Sequence, residues 1–343
     1  MLIWLPLNLF SQNASDSIPE FIRLYNEASA LQDSARWKES IPLLKKAIKT
    51  KDDYWEAHNL LALALVKTEK FGEALKALSK SEQVAPMNYE TIKLRGITHF
   101  LNNSFAASKN ALDTAAELAV SENIDDAELH VYRARLMYKG KAYKDALGAC
   151  EAALDLKPRM WEAMMLKGEI RFDMKEYRYA IHDLTEALNN MKPEKTDYRA
   201  YKLRAKSRFE VGEYKNAVTD WDVYLDAYPK EEEALISRAA AKINFNDNSG
   251  AIADLDQAIS VNSRNPVSWC YRGVAKGGNK SYEEAMKDLN QAIKLKYNWP
   301  VAYVNRAAIK MAVKDKRGAC QDLEKADSLG SETAYKLIDQ YCK

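Results

Sequence analysis

Apolar side chains recur three and four residues apart in short blocks along this chain, the spacing that buries one face of an α-helix. The blocks come in pairs. Residues 55–68 and 71–84 are two such runs with a brief polar break between them. Small residues mark the repetition most sharply. Ala28, Ala62, Gly96, Ala134, Gly168, Ala205, Ala239, Gly273 and Ala307 follow one another at intervals of 34, apart from one step of 38 and one of 37. A second small series falls twelve residues after each: Ser40, Ala74, Ser108, Ala146, Ala180, Ala217, Ala251, Ala285 and Ala319. A third follows seven residues later, from Ala47 to Ala326, and Tyr224 alone breaks it. Small residues at fixed places let two antiparallel helices approach closely. Leu44, Leu78, Leu112, Leu184, Leu255, Leu289 and Leu323 then fill the space beside them. No such hairpin buries its apolar face alone, so neighbours must stack.

Aromatic residues stand three positions before the second small series in seven of the nine units: Trp37, Phe71, Phe105, Tyr143, Tyr177, Tyr214 and Tyr282. The period, the small residues and this aromatic-x-x-small step resemble the tetratricopeptide repeat. The resemblance covers units 21–54, 55–88, 89–122, 127–160, 161–194, 198–231, 232–265, 266–299 and 300–333. It implies an all-α fold, an α-solenoid in which antiparallel helix pairs form a right-handed superhelix. It also implies a concave face, lined by the first helix of each unit, that holds a peptide or a partner helix.

The period is interrupted by NIDD (123–126) and KTD (195–197). Trp221 and Tyr224 in the sixth unit stand where most units have Leu and Ala, bulk expected to push its helices apart. Pro42, near the start of a second helix, is expected to shorten or kink it.

A charge rule runs through the later units. Lys167, Arg204, Arg238, Arg272 and Arg306 precede the first small residue, and Asp183, Asp220, Asp254, Asp288 and Asp322 lie sixteen residues on. A second base follows one helical turn after the first: Arg171, Arg208, Lys242, Lys276 and Lys310. The acids come and go with the bases. That predicts a structural ladder of ion pairs, worth about 0–1 kcal/mol each if exposed. The alternative is a basic ridge for a polyanion or nucleic acid. Charge balance argues against it, because 51 Lys+Arg face 49 Asp+Glu.

Candidate chemistry is thin. His58, His99, His130 and His182 are scattered without metal-ligand spacing, and no phosphate loop, dinucleotide fingerprint or nucleophile elbow occurs. No catalysis, cofactor or metal is expected. The repeat resemblance places Lys93, Phe100, Arg135, Tyr138, Glu169, Phe172, Lys202, Lys206 and Phe209 on the inner face, an aromatic row beside alternating charges. The same aromatics also suit packing between helices. The partner expected is a protein or peptide, not nucleic acid. The asparagines that accompany basic residues in chaperone-tail-binding members are missing.

The ends carry two further expectations. MLIWLPLNLF opens the chain, so residues 1–20 read as a secretory signal or as an apolar flap on the first helices. No Lys or Arg precedes the apolar run, and no clean small-x-small pair follows it. The block is too short to span a bilayer, and no other run approaches that length. Residues 331–343 read as a capping helix. If it folds back on the preceding helix, Cys320 and Cys342 come level and form a disulfide in an oxidising compartment; otherwise they are two small buried hydrophobes. The ending GACQDLEKADSLGSETAYKLIDQYCK resembles the last repeat and cap of exported tetratricopeptide proteins of Bacteroidota. These features point to export, to the periplasm, with the cytoplasm as the alternative.

Overall fold

The computed structural model describes residues 18–342, so nearly all of the N-terminal signal or flap lies outside the described residues. Nineteen α-helices and one short 3-10 turn make up the regular structure there, with no strand among the described residues. None of these helices is long and apolar enough to cross a membrane. The chain divides into two compact bodies, at residues 158 and 159.

The N-terminal body holds four helix pairs: α1 (Glu20–Asp33) with α2 (Trp37–Thr50), α3 (Trp55–Lys67) with α4 (Phe71–Val84), α5 (Tyr89–Leu101) with α6 (Phe105–Glu122), and α7 (Ala127–Lys139) with α8 (Tyr143–Leu156). The C-terminal body holds α9 (Trp161–Asp173) with α10 (Tyr177–Asn190), α11 (Tyr198–Glu210) with α12 (Tyr214–Ala227), and α13 (Glu232–Asn244) with α14 (Asn248–Val261). It continues with α15 (Pro266–Gly278) and α16 (Tyr282–Leu295), then α17 (Pro300–Ala312) and α18 (Lys316–Ser328), and ends on α19 (Glu332–Tyr341).

Packing within each pair follows the small–large rule. Ala28, Ala62, Ala134, Ala205 and Ala239 are fully buried, and the leucines from Leu44 to Leu323 are at most 1% exposed. In the sixth repeat Trp221 takes the leucine position and is buried with Tyr224 among Tyr198 and Tyr201. Pro42 does not shorten its helix: α2 runs the same 14 residues as α4. One missing N–H near the start of a helix leaves every later hydrogen bond intact. The two insertions act differently. NIDD accompanies a lengthened α6 of 18 residues, which ends on left-handed Asn123. KTD begins with the last residue of the 3-10 turn Pro193–Lys195 and supplies Asp197, whose side chain caps α11.

The nine elbows between paired helices share one geometry. Ala35, Glu69, Asn103, Lys141, Lys175, Gly212, Asn246, Lys280 and Lys314 occupy the same repeat position, and all have φ between 56° and 81°. At each elbow the next residue's N–H reaches back to a carbonyl five residues earlier, as from Arg36 to Leu31 at 2.8 Å and from Ser281 to Lys276 at 2.9 Å. That is the left-handed Schellman stop, which satisfies the last carbonyls of the helix.

Candidate functional site

In the N-terminal body the first helices of the pairs, α1, α3, α5 and α7, line a groove of about 580 Å³. Leu60, Leu63 and Val66 of α3 and Leu94, Ile97 and Leu101 of α5 form its apolar floor. Glu56, Glu90 and Glu128 line it from equivalent positions of three consecutive repeats, with Glu69 at an elbow. Glu56 and Glu69 form no ion pair among the described residues. Burial, and then the Glu56 carboxylate, push the Tyr25 phenol above its ordinary value. Asn59 lies in the same groove, its buried Oδ1 without a donor.

Lys93 is the one predicted inner-face residue that lines this groove, and acids surround it. Its Nζ is 2.8 Å from Asp126, 3.0 Å from Glu90 and 3.9 Å from Glu128. Burial works against the ammonium, but the bonds it donates to Asp126 and Glu90 outweigh it and raise its pKa. Asp126 comes from the NIDD insertion. It caps α7 through the N–H groups of Glu128 and Leu129 and accepts from the Tyr89 hydroxyl at 2.9 Å. Burial alone would raise the Asp126 pKa, yet the bonds from Lys93 and Tyr89 hold it below the usual range.

The predicted aromatic row lies mostly at the elbows. Phe100, Tyr138, Phe172 and Phe209 meet Phe105, Tyr143, Tyr177 and Tyr214 of their own second helices, with ring centroids 5.7, 6.1, 5.7 and 5.3 Å apart. Each is half-buried. Phe100 also touches Tyr132, a groove residue over whose ring Arg135 stacks at 5.0 Å. In the C-terminal body Phe172, Lys206 and Phe209 come together around a hollow of about 260 Å³ with Ile236 and Tyr271. Lys206 and Lys202 share Glu233, at 2.5 and 3.2 Å, and Lys202 also reaches Glu231 at 2.6 Å. Lys202 thus repeats the arrangement of Lys93, a lysine braced by two acids at the start of the next repeat. Glu169 lies 3.9 Å from Arg199.

The charge ladder forms two-point contacts. Arg204, Arg238, Arg272 and Arg306 each set Nε and Nη2 against both oxygens of Asp220, Asp254, Asp288 and Asp322, at 2.6–3.0 Å. The second bases Arg208, Lys242, Lys276 and Lys310 reach the same four carboxylates at 2.7–2.9 Å. These four aspartates are only 2–5% exposed, so the surface-pair magnitude does not apply to them. The arginines also reach back to the preceding repeat's second helix: Arg204 to Thr185, Arg238 to Asp222, Arg272 to Asp256 and Arg306 to Asn290. In the N-terminal body Arg95 and Arg133 have only such backward partners among the described residues, Glu82 and Asp113. Asp183 is met by Arg171 at 2.8 Å, and burial raises its pKa despite that partner.

Cys320 and Cys342 are joined by a disulfide, with Cα atoms 5.8 Å apart, and it ties α18 to the end of α19. Cys150 and Cys270 are buried and outside any disulfide, and burial pushes the Cys270 thiol up to about 11. Among the described residues no group of three or more His, Cys, Asp or Glu side chains is placed to hold a metal ion.

The tetratricopeptide repeat family model matches residues 25–86 and 94–160. The chain carries tetratricopeptide repeats. Tetratricopeptide structures similar to it include YrrB, described as a TPR protein with an unusual peptide-binding site. YrrB is 17% identical over 54% of this chain and 93% of its own, with a TM-score of 0.51. PilF of Pseudomonas aeruginosa is 15% identical over 63% of this chain and 96% of its own, with a TM-score of 0.54. At that identity the likeness is one of fold. No curated protein matches the chain. A tetratricopeptide fold is that of a protein–protein interaction scaffold.

Following the aromatics along the repeats leads away from the larger groove. Repeats 1 and 2 have Gln32 and Val66 at the aromatic position, so the Leu, Val and Ile floor passes for ordinary core. The signal that marks it is the acid at the second position of consecutive repeats, Glu56, Glu90 and Glu128.

Proposed function

We propose that this protein is a non-catalytic scaffold that docks a peptide or helix of a partner protein in the groove lined by α1, α3, α5 and α7. The observation that carries the reading is the groove itself: an open apolar floor about 580 Å³ in volume, built from the first helices of consecutive repeats and rimmed by polar groups. The ladder supports stacking rather than polyanion capture, because its arginines already hold carboxylates. The Cys320–Cys342 bond and the apolar start of the chain support a working place in an oxidising compartment such as the periplasm.

Panning a random peptide display library on the full chain tests the reading. Selected peptides should protect the backbone amides of α3 and α5 from hydrogen exchange. Half-buried Leu63→Arg should abolish their binding with little change in melting temperature. Peptides that protect only second helices, or that bind the Leu63→Arg variant equally well, would refute it.

A further inference from the structure

We infer that the groove of the N-terminal body takes a basic, apolar segment, a stretch of the partner in which Lys or Arg side chains stand between Leu-like ones. The inference rests on the docking reading above and adds the partner's chemistry. Four carboxylates line this groove, from Glu56, Glu69, Glu90 and Glu128, against two ammonium groups, from Lys67 and Lys93. Lys93 is not available to an incoming acid. Asp126, Glu90 and Glu128 already surround it, and Asp126 adds another negative charge beside the groove. Lys67 leans over the Trp37 ring at 5.9 Å, beyond the floor. Glu56 and Glu69 form no ion pair among the described residues, and the groove's buried Asn59 Oδ1 is one more acceptor without a donor.

A ligand here must therefore cover half-buried Leu60, Leu63 and Leu94 with apolar side chains and present donors and positive charge to the rim. An acidic segment would meet repulsion from Glu56 and Glu69, with Lys67 the one groove-lining cation among the described residues that no carboxylate already holds. Glu56, Glu90 and Glu128 stand at equivalent positions of neighbouring first helices, so a segment running along the groove meets them in succession.

Fluorescence anisotropy of the full chain with three labelled peptides tests this. The peptides share the same leucines, with lysine, glutamine or glutamate between them. The lysine peptide should bind at least about fivefold more tightly than the glutamine peptide, and the glutamate peptide more weakly than either. The lysine advantage should shrink as salt is raised. It should disappear in the double variant Glu56→Gln with Glu69→Gln, which removes no ion pair of the fold. Equal binding of all three peptides, abolished by Leu63→Arg, would overturn the charge inference and leave the docking reading standing. A lysine preference that survives the double variant would also overturn it. No binding of any peptide would count against both.

Discussion

Arg238 grips Asp254 at two points, Nε to Oδ2 at 3.0 Å and Nη2 to Oδ1 at 2.6 Å, while Lys242 closes on the same carboxylate at 2.8 Å. Asp254 is 4% exposed, so its charge is stabilised by these two cations rather than by water. Removing the acid leaves Lys242 without its counter-charge and Arg238 with only the exposed Asp222. Asp254→Ala is expected to lower stability by about 3–5 kcal/mol, and Asp222→Ala, on an exposed partner of the same arginine, by under about 1 kcal/mol. Urea unfolding of both variants checks this; equal losses would show that burial does not set the strength of the contact.

Asp126 and Asp183 should respond to pH in opposite senses. The folded pKa of Asp126 lies below the ordinary 3.8, so its charge stabilises the fold above that value, and the benefit fades as pH falls through the folded pKa. The folded pKa of Asp183 lies above 3.8. Its contribution is complete below that value and is lost as pH rises through the folded pKa. Relative to wild type, Asp126→Asn should therefore be most destabilising near neutrality and least so in acid. Asp183→Asn should show the reverse trend. Unfolding midpoints across a pH series decide it, and parallel trends would contradict the assignment.

The left-handed elbows offer a stabilising change. Lys280 has φ 63°, a conformation that strains a residue with a Cβ by about 1–2 kcal/mol and leaves glycine at ease. Glycine loses about 0.5–1 kcal/mol more chain entropy on folding. Lys280→Gly should therefore gain on the order of 0.5 kcal/mol, read as a higher melting temperature. The same change at Lys287, inside α16, should destabilise.

The disulfide spans a sequence separation of 22 residues. Cys342→Ser should lower stability by about 3 kcal/mol and raise amide exchange chiefly in α19. Unchanged protection of α19 would show that the Leu337 and Ile338 packing is enough to hold it.

Much of the fold is legible in the sequence because the determinants are local and repeated. An alanine twelve residues from another, and a leucine four further on, specify a helix pair wherever they occur. The aspartates of the ladder are visible for the same reason, since Arg238 and Asp254 lie a fixed sixteen residues apart. The elbows are nearly silent. Only Gly212, Asn103 and Asn246 suit φ above zero, and the other six positions carry Ala, Glu or Lys held there by backbone hydrogen bonds. The groove is less legible still. Leu63 and Leu94 read as core because helical periodicity says which face is apolar, not whether another helix covers it. Asp126 was visible only as part of an insertion, and its role depends on Tyr89 and Lys93, 37 and 33 residues earlier.

The backward reach of Arg238, Arg272 and Arg306 means that none of their three rungs belongs to one hairpin alone. Peeling away the pair α15–α16 would take Arg272 from Asp256 as well as from the neighbouring apolar surface. Fraying is thereby penalised at every junction, and this stretch should melt as a block rather than link by link.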